Sequence, residues 1–163
     1  MKRTTLLLAV GVAVLALLAL VVVGVALATP PSGVAATPLT RATLGKIQAK
    51  NDGIKVKSLQ RSADVALVKL TIEPGGKTGW HHHPGVVLVS VASGTVTEYH
   101  EDCQPTVIQA GEGFVESQGH VHFVRNEGKD PAVLYVTFLV PTTTPPTGLT
   151  IPDPQPKDCS NVK

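Results

Sequence analysis

The segment "DVALVKLTIE", residues 64–73, decides the fold. Val65 and Leu67, and further along Leu70 and Ile72, flank single polar residues, a pattern that suits a strand buried mostly on one face. Working outward, comparable runs of strand formers occur at 41–48, 54–60, 86–92, 94–99, 106–109, 113–116, 121–126 and 132–140. Turn residues punctuate them: "NDG" from 51, "PGG" from 74, "SG" from 93, "GEG" from 111 and "NEGKDP" from 126. Short strands at this spacing, with no amphipathic helix among them, predict an all-β sandwich or closed barrel.

The chain has 163 residues, enough for one domain with its own core. Its 43% hydrophobic content overstates that core, because residues 6–28 form a nearly continuous apolar stretch. Removing the first 28 residues takes away Lys2 and Arg3 and leaves twelve basic against twelve acidic residues. A body without net charge, and without basic clusters interleaved with aromatics, excludes nucleic acid as a partner.

Lys2 and Arg3 followed by the run from Leu6 to Ala28 read as an export segment, with "ALA" at 26–28 as a cleavage site. The run exceeds the ~7–15 residues of a signal-peptide core and the ~20 that span a bilayer as a helix. A cleaved signal peptide and an uncleaved N-terminal membrane anchor are therefore both open, and each puts the body outside the cytoplasm, secreted or attached to the membrane. Residues 29–40, "TPPSGVAATPLT", read as a linker, 41–140 as the β domain and 141–163 as a Pro-rich tail. The two cysteines, Cys103 and Cys159, are predicted to form one disulfide that ties this tail to a loop of the body.

All six histidines lie between His81 and His122. Side chains two apart on a strand share a face, so His81 and His83 point together and His82 points away. His120 and His122 likewise share a face. Two such pairs from distant strands can converge inside a barrel and supply imidazoles to a transition metal. Trp80 and His82 are expected at the exterior or the rim.

These residues resemble the cupin superfamily. Gly75, His81, His83 and Gly94 fall at the spacing of the first cupin motif, with Val87 where that motif carries Glu. Gly111, Gly119, His122 and Asn126 fit the second motif, with Ser117 where Pro is usual. The resemblance covers roughly residues 54–140. It implies a single double-stranded β-helix (jelly-roll) barrel, here preceded by an N-terminal apolar helix, and a divalent metal held by His81, His83 and His122. It also implies a small-molecule ligand or substrate, and it allows a homodimer. Gly94 is expected in a tight hairpin with positive φ, and Asn126 is expected to close its own turn.

Val87 cannot ligate a metal, and three readings follow. Three imidazoles suffice, leaving the ion's charge uncompensated and favouring an anionic substrate. Alternatively another carboxylate substitutes: counting in twos from Gly94 sets Val96 and Glu98 on the inward face, which makes Glu98 the candidate, while Glu101 and Glu116 lie near loops. His120 could also serve as a further ligand or proton donor. In the third reading the site holds no metal and is a small-molecule pocket. Iron, zinc, manganese and copper all suit imidazole. The corresponding functions are a metal-dependent oxygenase, lyase or isomerase, or a non-catalytic extracytoplasmic module that binds a small molecule or the metal itself.

Overall fold

The computed structural model of the chain describes residues 28–46, 48–50, 52–57 and 62–162. Residues 1–27, all but the last residue of the expected export segment 1–28, lie outside the described residues. Among those described, no helix is long and apolar enough to cross a membrane.

Twelve strands follow one another: β1 (Ser32–Leu44), β2 (Gln48–Lys50), β3 (Lys55–Lys57), β4 (Ala63–Lys77), β5 (His81–His82), β6 (Val86–Ser93), β7 (Thr95–His100), β8 (Pro105–Gln109), β9 (Gly113–Glu116), β10 (His122–Arg125), β11 (Ala132–Pro141) and β12 (Ile151–Pro152). β2 and β3 form a separate small hairpin. The other ten make one sheet in the order β12-β5-β10-β4-β11-β6-β9, with β1 also on β4 and β7–β8 joined through β10. Its mostly antiparallel ladders curl into a nearly closed barrel, as expected for the double-stranded β-helix.

β4 is the axis of this arrangement, pairing along its length with β1 and β11. Its inward set is Ala66, Val68 and Ile72, all buried, with half-buried Leu70 in phase. Val65 and Leu67 are half-buried and lie on the opposite face. Val87, Val89 and Val91 of β6 and Leu134, Val136, Phe138 and Val140 of β11 complete the main core with the same period of two. Because successive side chains alternate faces, each of these strands turns one apolar row inward and leaves the other at the surface.

The linker expected at 29–40 is not a linker. Most of it belongs to β1, which runs antiparallel to β4 from Ser32↔Lys77 to Leu44↔Ala63. One proline and one glycine within it, Pro38 and Gly33, obscured the strand. Pro38 is tolerated because β1 is an edge strand paired only with β4, and the register slips between Pro38 and Thr40. The end of β1 is pinned by a buried carboxylate. Asp64 accepts hydrogen bonds from Thr43 Oγ1 and Arg41 Nε, each at 2.7 Å, while Arg41 also donates to the Thr144 carbonyl. The Thr43 hydroxyl and the Arg41 guanidinium hold the Asp64 pKa below its ordinary value.

The two turn expectations hold. Gly94 has φ +76°, and a Cβ there would sit 2.8 Å from the Ala132 backbone. Asn126 is fully buried; its amide donates to the Ile72 and Asp130 carbonyls, and its Oδ1 accepts from the Gly128 N–H. Trp80 departs from expectation, being 1% exposed rather than at the rim. It stacks on Phe123 with ring centroids 5.4 Å apart, in a second cluster that includes Cys159 and Val162. The Cys103–Cys159 disulfide forms and brings the tail into that cluster. The tail then adds β12, whose Ile151 and Pro152 pair with His82 and His81.

Candidate metal centre

Three elements bring the histidines together. Gly79 opens the turn into β5 with φ +74°, and a Cβ on it would collide with the Thr29 carbonyl at 2.0 Å, so only glycine fits. β5 then presents His81 inward, His82 outward and, just past the strand, His83 inward. β10 starts at His122, in register with His81 of β5 on one side and His100 of β7 on the other. The rings of His81, His83 and His122 lie with centroids 4.3–5.0 Å apart. One nitrogen from each falls within 4.8 Å of the others, and all three residues are buried.

The hydrogen bonds fix which nitrogen faces the cluster. His81 Nδ1 lies 2.9 Å from the Gly79 carbonyl, His83 Nδ1 2.6 Å from the Leu149 carbonyl, and His122 Nδ1 2.9 Å from the His120 carbonyl. A carbonyl only accepts, so each Nδ1 carries hydrogen and each Nε2 of the neutral ring offers a lone pair. Backbone acceptors of this kind behind imidazoles are the usual means of orienting metal ligands.

A buried carboxylate, Glu116, lies against two of the rings. Its Oε2 lies 3.1 Å from His83 Nε2 and its Oε1 3.0 Å from His122 Nε2. Glu116 is 5% exposed and sits on β9 directly opposite Val87 of β6. Residues directly opposite in a ladder share a face with Cβ atoms about 4.5–5.5 Å apart. The carboxylate missing at Val87 is thus delivered to the same side of the barrel by the neighbouring strand. Despite the short separation, His122 Nε2 is buried without an acceptable hydrogen-bond partner. Converging lone pairs, a buried carboxylate and an orphaned imidazole nitrogen are what a bound cation satisfies. The residues fit a metal.

Electrostatics suit that donor set at His81 and Glu116, while His122, beside Glu116, is drawn toward its protonated form. Burial, followed by the charges of His122 and His83, lowers the His81 pKa to about 3, which keeps its ring neutral. Burial opposes the charge on Glu116, but the hydrogen-bonding and coulombic pull of His122 and His83 outweigh it and hold the carboxyl at about 2. Burial also opposes a proton on His122, and the Glu116 carboxylate outweighs it, so the His122 pKa is raised.

The other expected residues lie elsewhere. Val96 and Glu98 do face inward, at 0% and 4% exposure. Glu98 Oε1 lies 3.4 Å from His100 Nε2, is buried without an acceptable hydrogen-bond partner, and its charge reaches His122 through space, whereas Glu116 stands directly against two of the rings. Burial raises its pKa, partly offset by His100, with the Glu116 charge adding to the rise. His120 is exposed, and its contribution is the backbone carbonyl behind His122. His82 turns outward to Asp153 Oδ2 at 2.5 Å, and Glu101 is exposed. Glu116 is the residue that sequence reasoning set aside. Its signal was the phase of "GFVE": Phe114 and Glu116 share one face, while Val115, 62% exposed, takes the other. His100, in register with His122, and the Leu149 carbonyl carried no comparable signal.

A chamber of about 370 Å³ opens above the centre, touched by His81, His83 and Glu116. Its wall comes from inward residues of β4, β6, β9, β10 and β11, and its mouth from β1 and residues 146–150 of the tail.

The chain is similar to several known proteins. A family model for the Cupin domain matches residues 68–138. Germin-like protein 5-1 of Oryza sativa subsp. japonica is 37% identical over 77 residues, 43% of this chain and 34% of that protein. Germin-like protein subfamily 3 member 3 of Arabidopsis thaliana is 31% identical over 80 residues, 45% of this chain and 37% of that protein. The chain thus spans about a third of the length of the curated relatives it matches. Among solved structures, oxalate oxidase in complex with the substrate analogue glycolate is 29% identical, covering 45% of this chain and 41% of that one, with a TM-score of 0.42.

Proposed function

We propose that this chain is a cupin whose barrel holds one divalent transition metal through Nε2 of His81, His83 and His122 and the carboxylate of Glu116. The observation that carries the proposal is the convergence of three buried imidazoles, each with a carbonyl behind its Nδ1, beside a carboxylate that approaches two of them and occupies the slot opposite Val87. Three neutral imidazoles and one carboxylate suit manganese, iron, zinc or copper. Bound there, the metal acts as a Lewis acid on an oxygen of the occupant, or takes part in oxygen chemistry if it is redox-active. The chain's own residues orient that occupant and exclude water, since the chamber wall is apolar.

The reaction class that follows is a metal-dependent oxygenase, lyase or isomerase acting on a small molecule. A second reading, a non-catalytic binding module, is favoured by one observation. Among the described residues, no titratable side chain outside the proposed ligand set lines the chamber, so a separate general acid or base is missing. Neither Glu98 nor His120 reaches it. We further propose that the chain lies outside the cytoplasm, with residues 1–28 as signal peptide or anchor; the apolar run behind Lys2 and Arg3 and the Cys103–Cys159 disulfide support this reading.

Elemental analysis of the untagged chain after supplementation with each candidate metal tests the centre. One equivalent, lost in His81→Ala and in His122→Ala, is expected. An absence of stoichiometric metal under every condition rejects the reading. Oxygen uptake and product analysis then separate turnover from ligand-induced stabilisation alone.

A further inference from the structure

We propose that the chamber takes a largely hydrocarbon molecule carrying one ionisable oxygen headgroup, a phenol, enol or monocarboxylate, and not a compact dianion. The inference rests on the metal centre proposed above and names the class of molecule that meets it.

The wall makes the first argument. Val68, Val89, Phe114, Leu134, Val136 and Phe138 surround the chamber, and among the described residues Glu116 is the only charged one besides the histidines that touches it. Among the described residues no lysine or arginine lines it, and the hydroxyls of Thr78, Thr147 and Thr150 are the remaining polar side chains. A doubly charged occupant would surrender its hydration to apolar side chains without gaining a single cationic partner from the protein. A hydrocarbon body gains from the same wall by leaving water.

The charge at the base makes the second. Three neutral imidazoles, one carboxylate and a dication sum to a single positive charge. One anionic oxygen neutralises that sum, whereas a dianion reverses it inside a low-dielectric chamber. Three uncompensated imidazoles would have favoured a more anionic substrate, and Glu116 removes that preference.

Size and access make the third. About 370 Å³ lies toward the small end of ligand pockets, room for a bicyclic molecule. The mouth is formed by exposed Pro31, Ala36 and Pro38 on one side and Pro146 and Thr147 on the other, with no basic residue among them to draw in anions. An apolar molecule enters past such a rim without crossing a charged ring.

The test is calorimetric titration of the zinc-loaded chain, zinc being redox-inert, with phenol, 2-naphthol, a sulfonated 2-naphthol and oxalate. Zinc content is measured on each sample. The second ring of 2-naphthol should tighten binding over phenol by about tenfold or more, given the apolar area it buries. The sulfonate should lose that gain, and oxalate should bind at least about tenfold more weakly than 2-naphthol. Oxalate or the sulfonate binding as tightly as 2-naphthol, with one zinc in place, overturns this inference and leaves the metal centre standing. Equal 2-naphthol binding by the chain and by His122→Ala, with zinc retained in neither, overturns the metal centre and with it the headgroup half of the inference.

Discussion

Glu116→Val should cost the chain most of its metal affinity, and adding Val87→Glu should return it. Glu116 and Val87 face each other across β9 and β6, both buried on the inner face at 5% and 0% exposure. The Glu116 oxygens stand 3.0 and 3.1 Å from two imidazole nitrogens, so its charge lies within about one ligand distance of the proposed cation. At an effective dielectric constant of about 20, opposite unit charges about 4 Å apart attract by about 4 kcal/mol. Water admitted in place of the carboxylate returns part of that, leaving a loss of about 3 kcal/mol, or about 100-fold in affinity. The exchanged carboxylate starts from a Cβ only about 5 Å away on the same face, so the double variant should recover to within about tenfold of the parent. Competition titration of zinc against a chromophoric chelator measures all three proteins, with circular dichroism confirming their folds. Undiminished affinity in folded Glu116→Val refutes the assignment of the fourth ligand. Failure of the double variant alone would show that the two slots are not geometrically equivalent.

Three further outcomes follow from the scaffold. Cys103→Ser releases a cross-link between residues 56 apart, which chain-entropy arguments value at about 4 kcal/mol; guanidinium unfolding with and without reductant measures it, and an unchanged midpoint contradicts the tail's role. Asp64→Asn should flatten the acid limb of stability. The Asp64 pKa is lowered on folding by Thr43 and Arg41, so its contribution is complete above the ordinary aspartate value and is lost as pH falls toward the folded one. Urea midpoints from pH 7 to 3 check this, and parallel curves for parent and variant count against it. Asn126→Ala strips the donors from two backbone carbonyls and the acceptor from the Gly128 N–H at a fully buried position; a loss of about 2–4 kcal/mol is expected from chemical denaturation, and a change under about 0.5 kcal/mol would mean that water substitutes for the amide.

The fold was legible because period-two alternation and turn residues are local. The ladder from Val86 to Ser93 and the histidine phase at 81–83 needed only the rule that neighbours two apart share a face. What escaped depended on pairing between distant segments. β1 carries Pro38 and Gly33 and has little alternation, since most of its residues are exposed; only its register against β4 makes it a strand. Trp80 looked like a rim residue because its covering partners, Phe123 and the tail around Cys159, arrive from 43 and 79 residues later. Phase counted from Gly94 puts Glu98 first and leaves Glu116 behind it as a residue near a loop. Cross-strand register reverses that order: Glu98 pairs with Val124, one strand row away from the histidines' carboxylate slot, whereas Glu116 pairs with Val87 itself.

The most direct test of the central claim is an anomalous difference map from crystals of the metal-loaded chain, collected on both sides of the metal's absorption edge. The account predicts one strong peak about 2.0–2.2 Å from Nε2 of His81, His83 and His122 and from a Glu116 oxygen. A peak bound by the histidines with Glu116 turned away, or a peak elsewhere in the chain, would contradict it.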